Sequence, residues 1–316
     1  MPASLRSPWA WLPPAAALVL VAAILATGSN RALFLWLNHG GHAVGDLVWF
    51  HLTMLGDGAM ALALVLPCIR RAPRLFWAAL LAAVVAGLWT QGTKQVIDVP
   101  RPLSVFAPGA FHLAGPAYRH VSFPSGHAAA AFALAGIWIL GVEGRRPWRG
   151  LLFVLAGLVG LSRIMIGVHW PLDVVWGMAG GWLGAWSGLA LQARWRWPTA
   201  GRGGRLAGAV LLAVTASLLV SRHIGIPAVM PAQRLVAAVC LAWGAWEIRC
   251  LGRMRGAGAL APRGTAPYAA QAPPWRAALA RAVGMARAWW AGRLGVARLV
   301  QRVQRDQRDQ QRRNDG

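Results

Sequence analysis

Three short segments hold residue types that can bind and cleave a phosphate group. The first is Lys94-Gln-Val-Ile-Asp-Val-Pro-Arg101-Pro102 and the second is Pro124-Ser125-Gly126-His127. The third is Ser162-Arg163, then five residues, then His169-Trp-Pro-Leu-Asp173. Lys94, Arg101 and Arg163 supply three cations suited to clamping phosphate oxygens. Ser125 and Gly126 open an apolar run, where a hydroxyl and free backbone N–H groups at a helix start favour a bound anion. His169 and Asp173 are four apart, neighbours on one helical face, so the carboxylate can hold the imidazole in one tautomer. His127 is a second titrating group, and two histidines with different neighbours can divide nucleophile and acid roles.

Taken singly, these residues have plainer readings. An interfacial arginine is usually a snorkelling anchor, and a Ser-Gly pair at a helix start is usually a cap or packing surface. Convergence of all three segments at one place is what turns them into a site. The elements that must converge are membrane spans. The chain has 316 residues, is 57% hydrophobic and carries 13% charged residues, against about 25% in a soluble domain. Mean hydropathy is +0.47. Apolar runs near 9–28, 48–68, 75–96, 125–142, 150–167, 172–193, 206–221 and 233–249 predict about eight spans. Trp9 and Trp11 favour a retained first span over a cleaved signal segment.

The net charge of +23 resembles that of a nucleic-acid binder, but its distribution excludes that class. Arginines cluster after the second, fourth and sixth predicted spans (Arg70, Arg71, Arg74; Arg145, Arg146, Arg149; Arg194, Arg196, Arg202, Arg205) and in the tail. The positive-inside rule makes that face cytoplasmic and turns loops 29–47, 97–124, 168–171 and 222–232 outward. Lys94, the one lysine, and Arg101 and Arg119 break the rule on the outer face, where the motifs lie. Cys68, Cys240 and Cys250 are odd in number and apolar in setting, which fits neither a disulfide framework nor a metal cluster.

The pattern K-x6-RP, PSGH, SR-x5-H-x3-D resembles the type 2 phosphatidic acid phosphatase superfamily, to which vanadium haloperoxidases are related. All three motifs match in order over residues 94–173. The resemblance covers about residues 9–193 and implies a metal-independent, cofactor-free phosphoryl transfer through a phosphohistidine. Carried over by position, His169 attacks phosphorus, Asp173 orients it and His127 protonates the leaving oxygen. Lys94, Arg101, Ser125, Gly126 and Arg163 hold the phosphoryl oxygens.

The expectation is an all-α polytopic membrane protein. Residues 1–200 form a six-helix catalytic core, residues 201–252 two additional spans, and residues 253–316 an Arg-rich cytoplasmic tail with an amphipathic segment from Trp289. The expected activity is hydrolysis of a lipid phosphate or diphosphate at the periplasmic face of a bacterial inner membrane. Undecaprenyl diphosphate is favoured over phosphatidic acid, phosphatidylglycerol phosphate and lipid A phosphate. The alternatives are transfer to another lipid and a non-catalytic lipid-binding or transport protein of the same fold. Expected partners are the lipid substrate and membrane lipids. Among weaker features, Asp57 is a buried carboxylate in a span, His39 and His42 read as loop residues, and Arg119 and His120 as headgroup contacts or solvated side chains. Trp138, Trp148, Trp170 and Trp176 read as interface anchors.

Overall fold

The computed structural model describes residues 7–142, 147–222 and 224–258. The chain divides into compact units at 1–260 and 261–316, and the second lies outside the described residues. So do Arg145, Arg146 and the amphipathic segment expected from Trp289. The described residues are helical and contain no strand.

The helices are α1 (Pro8–Thr27), α2 (Asn30–Gly41), α3 (Asp46–Leu55), α4 (Gly58–Val65), α5 (Cys68–Arg71), α6 (Pro73–Val96), α7 (Pro102–Val105), α8 (Gly126–Gly141), α9 (Trp148–Met165), α10 (Pro171–Trp195), α11 (Arg202–Val220) and α12 (Met230–Gly258). Six of the long ones, α1, α6, α9, α10, α11 and α12, are apolar enough to cross a membrane. The α3–α4 pair passes the same test together, with a bend of 58° between its halves. Asp57 sits at that bend as the N-cap of α4, its carboxylate accepting from the Met60 amide at 3.0 Å. Capping an interrupted helix is how this buried carboxylate is satisfied. Helix α8 has 16 residues, about 24 Å of rise, and is too short to cross a hydrocarbon core of about 30 Å unaided.

Helix α10 is the axis of the bundle, packed most extensively on α6 and α8. Its glycines make that approach close. A methyl group on Gly181 would lie 2.2 Å from the Ala129 carbonyl of α8, and one on Gly188 would lie 2.3 Å from the Ala78 carbonyl of α6. In a membrane, where apolar burial drives little helix association, such backbone contact supplies van der Waals packing that larger residues would block. Because α6 and α9 end where α8 and α10 begin, this packing gathers the four motif-bearing ends at one face.

Residues 29–47, expected as a loop, contain α2. Its Asn38 is fully buried and its amide donates to the carbonyls of His112, Ile164 and Met165. Asn30 accepts from the Leu172 amide at 3.0 Å, in the first turn of α10. Its apolar run, Ala32 to Leu37, is too short for a span, which hid this helix, and hydrogen bonds to other elements hold it. His39 is exposed in its last turn. Trp170 is a correction: it is 3% exposed, donates to the Pro100 carbonyl and packs on Phe34 and Phe106, so it is a core residue and not an interface anchor.

The glycine contacts predict that Gly181→Leu, which drives a side chain into α8 backbone, costs about 3 kcal/mol, the upper end for overpacking. Gly203→Leu, where a side chain meets open space, is the control. Thermal unfolding in detergent measures both, and equal midpoints would contradict the packing account.

Candidate active site

The site is built at the starts of α8 and α10 and the ends of α6 and α9. Helix α10 begins at Pro171, whose missing N–H costs nothing in a first turn. Asp173, at the third position, folds back so that Oδ2 accepts from the Trp170 amide at 2.9 Å. That bond is half of a capping box. The same oxygen accepts from His169 Nδ1–H at 3.0 Å and from the Ser122 hydroxyl. Because Nδ1 must donate, the lone pair of His169 is on Nε2. Nε2 lies 3.4 Å from Arg101 Nη1. His169 is 2% exposed and Asp173 1%, so the pair is shielded from bulk water.

Arg101 is positioned by backbone carbonyls. Its guanidinium donates to Val168 at 2.8 Å, to His120 at 3.0 Å and to Val121 at 3.4 Å, with the Tyr118 ring 5.1 Å away. The segment supplying the His120 and Val121 carbonyls is pinned to the stretch around Arg101 by Arg101 N to Arg119 O and Ser122 N to Val99 O. Val121 has φ 50, a left-handed conformation that β-branched residues rarely adopt. The cost of that conformation is offset by the bonds on either side, which direct Ser122 at Asp173 and the Val121 carbonyl at Arg101. Arg119 and His120 expose their side chains, and their carbonyls serve the site.

Arg163, 4% exposed in the last turn of α9, donates from Nη1 to Thr53 of α3 at 2.6 Å, while its buried Nε has no hydrogen-bond partner among the described residues. Its carbonyl accepts from the amides of Val168 and His169, folding the link back under the nucleophile. Ser162 is buried and bonds to Val159 within its own helix, so it serves the helix and not the site. Ser125 is the N-cap of α8, its hydroxyl accepting from Ala128 N at 3.4 Å, and its amide donates to the Asp173 carbonyl at 2.9 Å. That bond joins the starts of α8 and α10. Gly126 and His127 follow in the first turn, with His127 half-buried. Lys94 is half-buried in the last turn of α6 and makes no hydrogen bond among the described residues.

The eight residues expected from sequence thus sit at the converging helix ends, tied through Asp173, Arg101 and Ser125. Electrostatics favour a neutral His169 imidazole. Burial holds the pKa of His169 well below its ordinary value, reinforced by the charges of Arg101, Arg163, Lys94 and His127. Burial likewise lowers that of Arg101. Two contributors were missed. Ser122 lies outside the four-residue motif that follows it, and Thr53 sits in an apolar run with no sequence mark. Among the described residues no group of three or more His, Cys, Asp or Glu side chains could hold a metal ion.

Residues 75–198 match the family model described as the PAP2 superfamily. This segment is a PAP2 domain. It includes every candidate site residue. The PAP2 segment has curated relatives. An undecaprenyl-diphosphatase of Sulfolobus acidocaldarius is 35% identical over 119 residues, 34% of this chain and 50% of that protein. A lipid A 1-phosphatase of Porphyromonas gingivalis is 43% identical over 61 residues, 19% of this chain and 14% of that protein. The chain therefore spans half or less of the length of these relatives. The crystal structure of Aquifex aeolicus LpxE matches 51% of this chain and 94% of its own at 28% identity, with a TM-score of 0.46.

The electrostatics predict a pH dependence. With its pKa depressed, His169 stays unprotonated as pH falls through 6.5, and its acid limb lies below that range. Arg101→Gln removes the largest opposing charge, so the limb of kcat/KM moves to higher pH relative to wild type on the same substrate. An unmoved limb would remove Arg101 from the electrostatics of the nucleophile.

Proposed function

We propose that this chain is a membrane lipid phosphatase that works through a phosphohistidine on His169. The observation that carries this reading is where the His169–Asp173 pair sits. It lies beside the start of α8, to which the Ser125 amide ties it through the Asp173 carbonyl, and Gly126 and His127 of that same start line an apolar cavity of about 350 Å³ between α4, α6 and α8. Small residues such as Gly58, Ala83 and Ala130 line it together with Leu62, Leu134 and Ile137. A phosphate held by the cations and an apolar tail in this slot together describe a lipid phosphate.

In the first step His169 Nε2 attacks phosphorus, the P–O bond to the lipid breaks, and His127 protonates the departing oxygen. Asp173 stabilises the imidazole as it becomes cationic. Lys94, Arg101 and Arg163, with the amides at the start of α8 around Ser125 and Gly126, stabilise the equatorial oxygens. In the second step His127 takes a proton from water, whose oxygen attacks phosphorus. The P–N bond breaks and phosphate leaves.

The undecaprenyl-diphosphatase relative supports undecaprenyl diphosphate as the favoured substrate, and a single slot between three helices suits one long chain. We place the protein in a bacterial inner membrane, with the site periplasmic and the tail cytoplasmic, because the arginine clusters lie at the opposite helix ends. Residues 1–200 are then the catalytic segment, with 201–252 an added helix pair and 253–316 the tail.

Purified protein assayed for phosphate release from undecaprenyl diphosphate, phosphatidic acid and lipid A tests the reading. His169→Ala is expected to lose turnover and phosphoenzyme on every substrate. His127→Ala is expected to retain relatively more activity on the diphosphate, whose leaving group needs less protonation. Phosphoenzyme labelling at His127, or turnover by His169→Ala, would reverse the assignment.

Three cations already provide the charge neutralisation that a divalent ion supplies elsewhere, so activity is expected to survive EDTA. Loss with EDTA and recovery with Mg²⁺ would overturn this mechanism.

A further inference from the structure

At the end of the bundle opposite His169, a second cavity of about 280 Å³ lies between the start of α6, the end of α8 and the last turns of α10. Its lining includes Arg71, Arg74, Gly141 and Gln192. Helix α6 begins here without a side-chain cap, and the amides of Arg74 and Leu75 have no acceptor among the described residues. A 24-residue helix presents its positive dipole end at this point. Gln192 is the second and independent observation. It is 4% exposed, it lines the cavity, and its side chain makes no hydrogen bond among the described residues. A polar occupant of the cavity would take up the bonding capacity of this carboxamide.

We propose that this cavity is a second phosphate-binding site. The Arg74 and Leu75 amides, the Gln192 carboxamide and the guanidinium groups of Arg71 and Arg74 are all donors, the set a tetrahedral oxyanion satisfies. Arg71 is held by its Nε bond to the buried Glu247 carboxylate. Trp195 and Trp197, stacked at 4.9 Å and both partly exposed, stand at the same end of α10, with Trp77 of α6 against Trp197. Such tryptophans lie at the depth of lipid headgroups. A phosphate here comes either from a phospholipid headgroup or from solution. The site is about 36 Å along α6 from the catalytic end, and its binding does not depend on the function proposed for that end.

The test uses the full chain in detergent, with native mass spectrometry counting bound phosphatidylglycerol against diacylglycerol of the same chains, and thermal unfolding with inorganic phosphate as a separate arm. Wild type is expected to retain phosphatidylglycerol over diacylglycerol. Arg74→Glu and Gln192→Glu should each weaken that binding about tenfold, the effect of losing one charge-assisted hydrogen bond. Arg205→Glu, an exposed arginine outside the cavity, should bind as wild type. Protection by inorganic phosphate that disappears in the same variants identifies free phosphate as a ligand, and retention of the lipid alone identifies the headgroup. If Gln192→Glu does not fold, Arg74→Glu, on an exposed side chain, decides alone. Undiminished binding by the cavity variants, or equal retention of both lipids, would overturn the proposal.

Discussion

The Asp173 carboxylate is the point through which the catalytic end is assembled. An ionised carboxylate at 1% exposure is costly unless its oxygens are bonded, and here one oxygen takes three donors, two from His169 and Trp170 beside it and one from the distant Ser122. The Trp170 amide fixes where α10 begins. The Ser122 hydroxyl draws in the loop that leads to α8, and the same loop holds Arg101 by its carbonyls. The imidazole of His169 is left with one tautomer and a lone pair directed toward the cations. Helix capping, loop closure and orientation of the nucleophile are therefore one set of bonds.

That set forms because helix ends are brought within hydrogen-bond distance by backbone-to-backbone packing. Glycines along α10 let α6 and α8 approach from two sides, and the Ser125 amide then reaches the Asp173 carbonyl. The bend at Gly56 and Asp57 adds to this. A methyl group on Gly56 would lie 3.0 Å from the His127 carbonyl, so the broken span passes directly behind the second histidine. The α3 half of the same span supplies Thr53 to Arg163. Interruption of a span, costly in lipid, is tolerated here because it is buried in protein and lines the cavity beside the site.

Helix α12 is tied to the core by a second buried carboxylate. Glu247 is fully buried, and both oxygens are engaged, by Arg70 and Arg71 of α5, with Trp243 donating at 3.0 Å. Removing one member of such a group strands the others, whereas the intact group fixes register between α5 and α12. Arg70 and Arg71 thus hold α12 by their positions.

The candidate set was legible in the sequence because phosphate chemistry demands particular side chains, and their spacings survive as local patterns at helix ends. The all-helical class and the positions of the apolar helices were legible for a similar reason: hydrophobic length is a local property. What only the tertiary structure decided is held by long-range bonds. Helix α2 has an apolar run too short to be recognised as a span and is stabilised by Asn38 and Asn30 bonding to distant backbone. Trp170 reads as an interface residue by its type and its place near a span end, yet contacts with Phe34, Phe106 and Pro100 bury it. Asp57 and Gln192 look alike as polar residues in apolar runs, and only their neighbours separate a satisfied cap from an unbonded amide. Ser122 and Thr53 carry no mark because a hydroxyl acquires meaning from what it faces, and what it faces lies 51 and 110 residues away.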